Sequence, residues 1–183
     1  MIIGITGTDG SGKGAVVDFL VRNKNFVHYS SRSLIVAEIE KRSLPSSREQ
    51  MRLVANDMRR LYGHDVIVQK AFEKMAADKV ERAVIESIRT MAEAKTLKSK
   101  GGILLAVDAD QALRYKRIQY QKSASDKVTF EEFVAHEKIE MNDPDPNGMQ
   151  KAAVMEGADF TIMNNGSMSE LRQEIDNFLK KYL

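Results

Sequence analysis

Residues Gly7–Gly14 read G-T-D-G-S-G-K-G. They stand between the apolar, β-rich run Met1-Ile2-Ile3-Gly4-Ile5 and the helix-like run Ala15-Val16-Val17-Asp18-Phe19-Leu20. Glycines at this density let the backbone fold round an anion so that several N–H groups point inward. A helix starting at the loop directs its N-terminal partial positive charge at the same anion. Lys13 adds a point charge for outer phosphates. Thr8, Asp9, Gly10, Ser11, Gly12, Lys13, Gly14 and Ala15 therefore form a candidate cradle for a nucleoside triphosphate. Gly7, Gly12 and Lys13 keep the Walker A spacing G-x-x-x-x-G-K-[ST], but position 14 is Gly and position 15 is Ala. The hydroxyl that ordinarily ligates Mg²⁺ is missing. Magnesium then has to be held through water, by Ser11 or by an acid elsewhere. An ordinary tight turn is the alternative, and the flanking strand and helix signals weigh against it.

Four further β-rich segments follow Ile2–Thr6: Phe26–Tyr29, Ala83–Glu86, Ile103–Val107 and Phe160–Met163. Amphipathic stretches separate them, which predicts a parallel sheet covered on both faces. The gap from Ser30 to Arg82 holds three helical patterns broken near Pro45 and Gly63. It is too large for a simple crossover and predicts a substrate-covering subdomain. A second irregular zone, Met141 to Met149, contains Asp143-Pro144-Asp145-Pro146-Asn147-Gly148, turn residues between two helices. Ser169–Leu183 predicts an amphipathic helix with Leu171, Ile175, Phe178 and Leu179 on one face.

The net charge of +2 argues against non-specific nucleic-acid binding as the main task. Cysteine is absent, which excludes a disulfide scaffold, a thiolate nucleophile and a zinc–thiolate site. No apolar run reaches the roughly 20 residues a bilayer span requires. The expectation is a cytoplasmic protein, monomer or homodimer, working on a small molecule without nucleic-acid or membrane partners.

Ligands of a parallel sheet bind at the C-terminal ends of its strands. Those ends carry Ser30-Ser31-Arg32 after the second strand and Glu86-Ser87-Ile88-Arg89 after the third. After the fourth comes Asp108-Ala109-Asp110, with Arg114 and Arg117 on the next helix. Asn164-Asn165-Gly166-Ser167 follows the fifth. Arg114 and Arg117, three apart, share a helix face; they are either a solvated face or a clamp on a phosphoryl group in flight. Arg89 ends a buried strand, where a charge needs a reason. Arg48, Arg52 and Arg59 form a stripe in the insertion: a surface face, or a rim receiving an anionic substrate. Glu86 is a candidate for the Mg²⁺ shell, or else a carboxylate paired with Arg89. Asp9 is a candidate for a sugar hydroxyl or a metal-bound water, or else a turn residue. His28, His64 and His136 show no ligand spacing.

These residues resemble the small P-loop nucleotide and nucleoside kinases over nearly the whole chain. G-x-G-K-G at Gly10–Gly14 is similar to the adenylate kinase-like form, although Ala15 stands where those enzymes carry Thr. Val27-His28-Tyr29-Ser30-Ser31 resembles the start of their acceptor region. Glu86-Ser87-Ile88-Arg89-Thr90 with Glu93 resembles the segment in which an Arg grips the acceptor phosphate and a Gln, here Glu93, reads its base. Asp108-Ala109-Asp110 through Arg117 is similar to the strand and arginine-bearing helix before the lid, which would be 121–129. Ala158-Asp159-Phe160-Thr161-Ile162 with Asn164-Asn165-Gly166-Ser167 resembles dephospho-coenzyme A kinases, where this loop borders the donor adenine. That places Asn164 and Gly166 at the donor.

The resemblance implies an α/β fold, the P-loop NTPase three-layer sandwich, with a five-stranded parallel sheet and the phosphate-loop strand in its middle. It implies a single kinase domain over 1–183, with a helical acceptor-binding insertion over 30–80 and a short lid over 121–129. ATP is the implied donor and Mg²⁺ the implied cofactor. Lys13, Arg117, Arg114 and Arg89 would be catalytic; Asp9, Arg32, Arg89, Glu93 and Arg52 would bind the acceptor; Glu86 would serve the metal. Ser30-Ser31-Arg32-Ser33 carries no carboxylate where a dephospho-coenzyme A kinase carries its base. Its arginine suits a phosphate-bearing acceptor, a nucleoside or deoxynucleoside monophosphate. A nucleotide-binding switch with weak ATPase activity is the competing class.

Overall fold

The computed structural model describes residues 1–121, 128–145 and 147–182. Five strands form one sheet: β1 (Ile2–Gly7), β2 (Val27–Ser30), β3 (Ala83–Glu86), β4 (Ile103–Asp108) and β5 (Phe160–Met163). All neighbours are parallel, in the order β2-β3-β1-β4-β5, so the strand entering the glycine loop lies in the middle. The five segments expected from the sequence are these strands, shifted by a residue at some ends. Of the expected lid, residues 122–127 lie outside the described residues.

Alternation along the strands explains the three layers. Ile3, Ile5, Val84, Leu105, Val107 and Ile162 point to one face. There they meet α1 (Lys13–Lys24) through Val16, Val17 and Leu20, and α9 (Met168–Tyr182) through Leu171, Ile175, Phe178 and Leu179. Ala83, Ile85 and Leu104 point to the other face. It is covered by α4 (Val66–Asp78), α5 (Met91–Ser99) and α8 (Lys151–Glu156) through Val68, Ala71, Met75, Leu97 and Val154.

The 30–80 segment divides in two. Its last helix, α4, is a sheet-covering crossover. Its first two, α2 (Ser31–Lys41) and α3 (Arg48–Tyr62), build a small core of their own from Ile39, Val54, Ala55 and Met58 with Val66 and Ile67 at the start of α4. The helix starts are written locally. Ser30 and Ser47 accept hydrogen bonds from the amides of Ser33 and Gln50, and Thr90 and Glu93 form a reciprocal capping box on α5. Among the described residues two further helices are α6 (Gln111–Gln121) after β4, and α7 (Phe130–Met141).

Phe178 is fully buried, with its ring centroid 5.5 Å from Phe160 and 5.3 Å from Tyr182. Phe178→Ala should destabilise the fold by about 3–5 kcal/mol in urea unfolding. A loss below about 1 kcal/mol would show that α9 does not seal this face of the sheet.

Candidate active site

Two glycines make the loop possible. Gly7 has φ +134°, and a Cβ there would lie 1.9 Å from the Val107 carbonyl oxygen. Gly12 has φ +100°, and a Cβ there would lie 2.3 Å from Asn164 Nδ2. Only a residue without a side chain passes between β4 and the loop after β5. Once the chain has turned, its carbonyls are drawn outward by neighbours. The Thr8 carbonyl accepts from Ser11 Oγ at 2.8 Å and from Lys13 Nζ at 2.6 Å. The Asp9 carbonyl accepts from Arg114 Nη1 at 3.3 Å. The Ser11 carbonyl accepts from Asn164 Nδ2 at 2.8 Å and from Arg117 Nη1 at 3.5 Å. With the carbonyls engaged outside, the loop amides and the start of α1 are left for an anion.

The cleft beside the loop has a volume of about 380 Å³ and is walled by Asp9, Gly12, Lys13, Glu86, Arg117 and Glu140, among others. Lys13 is largely enclosed by the loop, and that burial pushes its ammonium down to about 8; the nearby Asp9 carboxylate, 3.8 Å away, works in the opposite direction. Burial would raise the Asp9 carboxyl, yet the charges of Lys151, Lys13 and Arg89 hold it well below the usual carboxylate range. Glu86 is also lowered, chiefly by its 3.0 Å contact with His28 Nε2. Glu140 is lowered too, with Lys151 outweighing burial and the repulsion of Asp9.

The residues named from the sequence divide between the cleft and its supports. Asp9, Lys13, Glu86 and Arg117 line it, and Arg89 stands close enough to act electrostatically on Asp9, Lys13 and Glu86. Arg114 does not share the cleft with Arg117. It is 5% exposed, its Nε donates to the Ala109 carbonyl at 2.8 Å, and its fork grips Glu137 of α7. Its guanidinium therefore anchors the loop, where a clamp on the phosphoryl group was expected. Glu93 is likewise turned inward. One oxygen accepts from the Arg89 and Thr90 amides at 2.7 and 3.1 Å, and the other pairs with the buried Arg59 at 3.2 Å. Reading a base was the expectation; holding the Arg89 backbone is what the geometry provides. Asn164 latches the loop, and Gly166 passes against the Glu170 carboxylate. Arg32 is exposed at the first turn of α2, and Arg52 lies 3.8 Å from Asp143.

Sequence reasoning missed Lys151, Glu140 and Glu137, and it read Arg59 as part of a surface stripe. The missed carboxylates had a usable signal, since Glu137 and Glu140 are three apart on one helix. Lys151 had none, because a lysine opening a short apolar helix reads as solvated.

The sequence pattern of the AAA domain family matches residues 6–134. The chain belongs to this family. It is a P-loop NTPase domain of kinase-like architecture. The chain is 28% identical to a UPF0200 protein of Pyrococcus horikoshii, covering 100% of this chain and 98% of that protein. It is 26% identical to a UPF0200 protein of Methanocaldococcus jannaschii, covering 100% and 91%. Among solved structures, TT1252 from Thermus thermophilus superposes with a TM-score of 0.66 at 22% identity, covering 100% of this chain and 98% of that one. A shikimate kinase from Bacteroides thetaiotaomicron superposes with a TM-score of 0.65 at 12% identity, covering 98% of each chain. These likenesses show the fold. Among the described residues, no helix is long and apolar enough to cross a membrane.

Two predictions follow from this P-loop domain. A phosphate that pairs with Lys13 raises its pKa from about 8 toward its ordinary value, so binding takes up a proton where the free protein has lost one. ATP affinity should fall as pH rises through about 8 to 9, with proton uptake visible in calorimetry across buffers of different ionisation enthalpy. Lys13→Met should remove that uptake, and uptake that persists in the variant would assign the proton elsewhere. Arg114→Met should cost about 2–3 kcal/mol of stability by removing the buried cation that holds the Asp9 and Ala109 carbonyls and by leaving Glu137 with Gln111 as its remaining partner. Arg117→Met should cost under about 0.5 kcal/mol. Equal losses in denaturant titrations would remove the distinction between anchor and cleft wall.

Proposed function

We propose that the protein is an ATP-dependent phosphotransferase acting on a small nucleotide-type acceptor, a nucleoside or deoxynucleoside monophosphate. The observation that carries this reading is the two-sided cleft. On one side stand Lys13 and the loop amides, which suit a triphosphate. On the other, Asp9 lines the cleft and Arg89 stands near it, an acceptor for a hydroxyl donor and a cation for a phosphate. Ser31, the first residue of α2 just after β2, donates its hydroxyl to the Glu86 carbonyl at 2.6 Å and so offers no base there. That supports an acceptor whose own phosphate is the nucleophile over dephospho-coenzyme A.

Lys13 and the loop amides hold the β- and γ-phosphates, and Arg117 faces the migrating group. An oxygen of the acceptor phosphate, oriented by Arg89, attacks the γ-phosphorus. A new P–O bond forms as the bond to the β–γ bridging oxygen breaks, and that electron pair leaves with ADP. The nucleophile is already an anion, so no proton has to move.

Magnesium on the triphosphate would neutralise phosphate charge. Its direct protein ligands are few here. Among the described residues no three His, Asp or Glu side chains converge on an ion site, and the Ser11 hydroxyl is donated to the Thr8 carbonyl. Gly14 supplies no side-chain oxygen, with open space beside it. The ionised Glu86 in the cleft wall fits an ion that arrives on the nucleotide and is held through its waters.

ATP turnover should rise at least about tenfold with one member of a panel of nucleoside and deoxynucleoside monophosphates, dephospho-coenzyme A, shikimate and gluconate. Mass spectrometry should identify its phosphorylated product. Arg89→Ala should raise the KM for that acceptor about 10–100-fold and leave the KM for ATP within about twofold. Turnover indifferent to every acceptor would favour a nucleotide switch with weak ATPase activity. A phosphorylated shikimate or gluconate would keep the kinase and discard the nucleotide acceptor.

A further inference from the structure

Lys151 follows the turn-rich 142–150 stretch and opens α8. Its residue is 4% exposed, an unusual depth for an ammonium group. A charge so placed needs partners, and Lys151 has two. Its Nζ lies 3.1 Å from Asp9 Oδ1 in the phosphate loop and 2.5 Å from Glu140 Oε2 on α7.

The backbone beneath this lysine is fixed. Val154, one turn on, is fully buried under the sheet, and the Gln150 amide donates to the Arg89 carbonyl at 2.7 Å. Met149, just before, takes the Arg89 guanidinium against its sulfur at 3.0 Å. One short stretch therefore supports both acceptor-side groups of the cleft, Arg89 through Met149 and Gln150, and Asp9 through Lys151. Among the described residues, the groups facing the Asp9 carboxylate include Lys13 of α1, Arg89 of the β3–α5 connection, Glu140 of α7 and Lys151 of α8. Arg114 of α6 holds its carbonyl.

We infer that Lys151 is a positioning residue for phosphoryl transfer, fixing the Asp9 carboxylate at the acceptor side of the phosphate loop and tying it through Glu140 to α7. Lys151 itself is walled off behind the two carboxylates, whereas Lys13 sits in the cleft. The inference rests on the acceptor role proposed for Asp9. It adds that this role depends on a charge 142 residues away in sequence.

The test uses the full chain with Lys151→Met and Lys151→Arg. Lys151→Met should lower acceptor-dependent kcat about 100-fold, the order expected when a group at the reacting centre is misplaced. ADP affinity by calorimetry should stay within about twofold, and Lys151→Arg should recover most of the rate. Carbon-13 NMR of the Asp9 carboxyl should show it ionised down to the lowest pH at which the native protein stays folded. In Lys151→Met it should titrate at higher pH. Unchanged Asp9 titration with native acceptor kinetics would overturn the inference, as would a loss of ADP binding equal to the loss of transfer. If Lys151→Met does not fold, Lys151→Gln retains a donor without the charge and gives the same readings. If the native protein transfers phosphate to no acceptor, the kinase reading fails, whereas the link between Lys151 and Asp9 stands or falls on the titration alone.

Discussion

The structure depends on where the carbonyls of the glycine loop go. An anion cradle needs amides turned inward, and an unsupported loop would as readily turn its carbonyls to the same space. Here three of those carbonyls are engaged by side chains, that of Thr8 from within the loop and those of Asp9 and Ser11 from outside it. Ser11 and Lys13 take the Thr8 carbonyl, Arg114 takes the Asp9 carbonyl, and Asn164 takes the Ser11 carbonyl. The central position of β1 makes this possible, because helices following β4 and the loop following β5 both reach its C-terminal end. Arg114 is in turn held by Glu137, so α7 stabilises the loop indirectly.

The surroundings of Arg89 are organised by a second buried ion pair. Arg59 of α3 and Glu93 of α5 are almost fully enclosed, and the same carboxylate caps α5 and holds the Arg89 amide. Neighbouring bonds run from Asn56 to Asp145 at 2.8 Å and from Arg59 to the Asn147 carbonyl at 3.5 Å. The small α2–α3 core is thereby locked to the turn that precedes Lys151. A buried pair of this kind adds little net stability over apolar packing, but removing one partner is costly. Its value here is registration: it sets where Arg89 stands relative to the loop.

Much of this was legible in the chain. Short apolar, β-rich runs separated by amphipathic stretches located all five strands, and Leu171, Ile175, Phe178 and Leu179 announced the buried face of α9. The phosphate loop was readable because its requirements are local: glycine at fixed places, a lysine, a strand before and a helix after. The site beyond the loop was less readable, because its roles depend on partners distant in sequence. Arg114 and Arg117 are alike as a sequence pair, and only the position of Glu137 separates an anchor from a cleft wall. Glu93 resembled a base-reading position until Arg59 and the Arg89 amide occupied its two oxygens. Arg59 itself lies on a stripe with exposed Arg52, and only the packing of α3 against the 143–149 turn buries it. Lys151 carried no local signal at all.

The loop is preformed by these bonds, and Lys13 is the one partner expected to move when a nucleotide arrives. A crystal structure with a non-hydrolysable ATP analogue tests it most directly. Lys13 Nζ should there have moved from the Gly7 and Thr8 carbonyls, now at 3.1 and 2.6 Å, onto the β- and γ-phosphates. Arg114 and Asn164 would remain on the Asp9 and Ser11 carbonyls. A nucleotide bound elsewhere, or an Arg114 that leaves Asp9 and Glu137 for the phosphates, would contradict it.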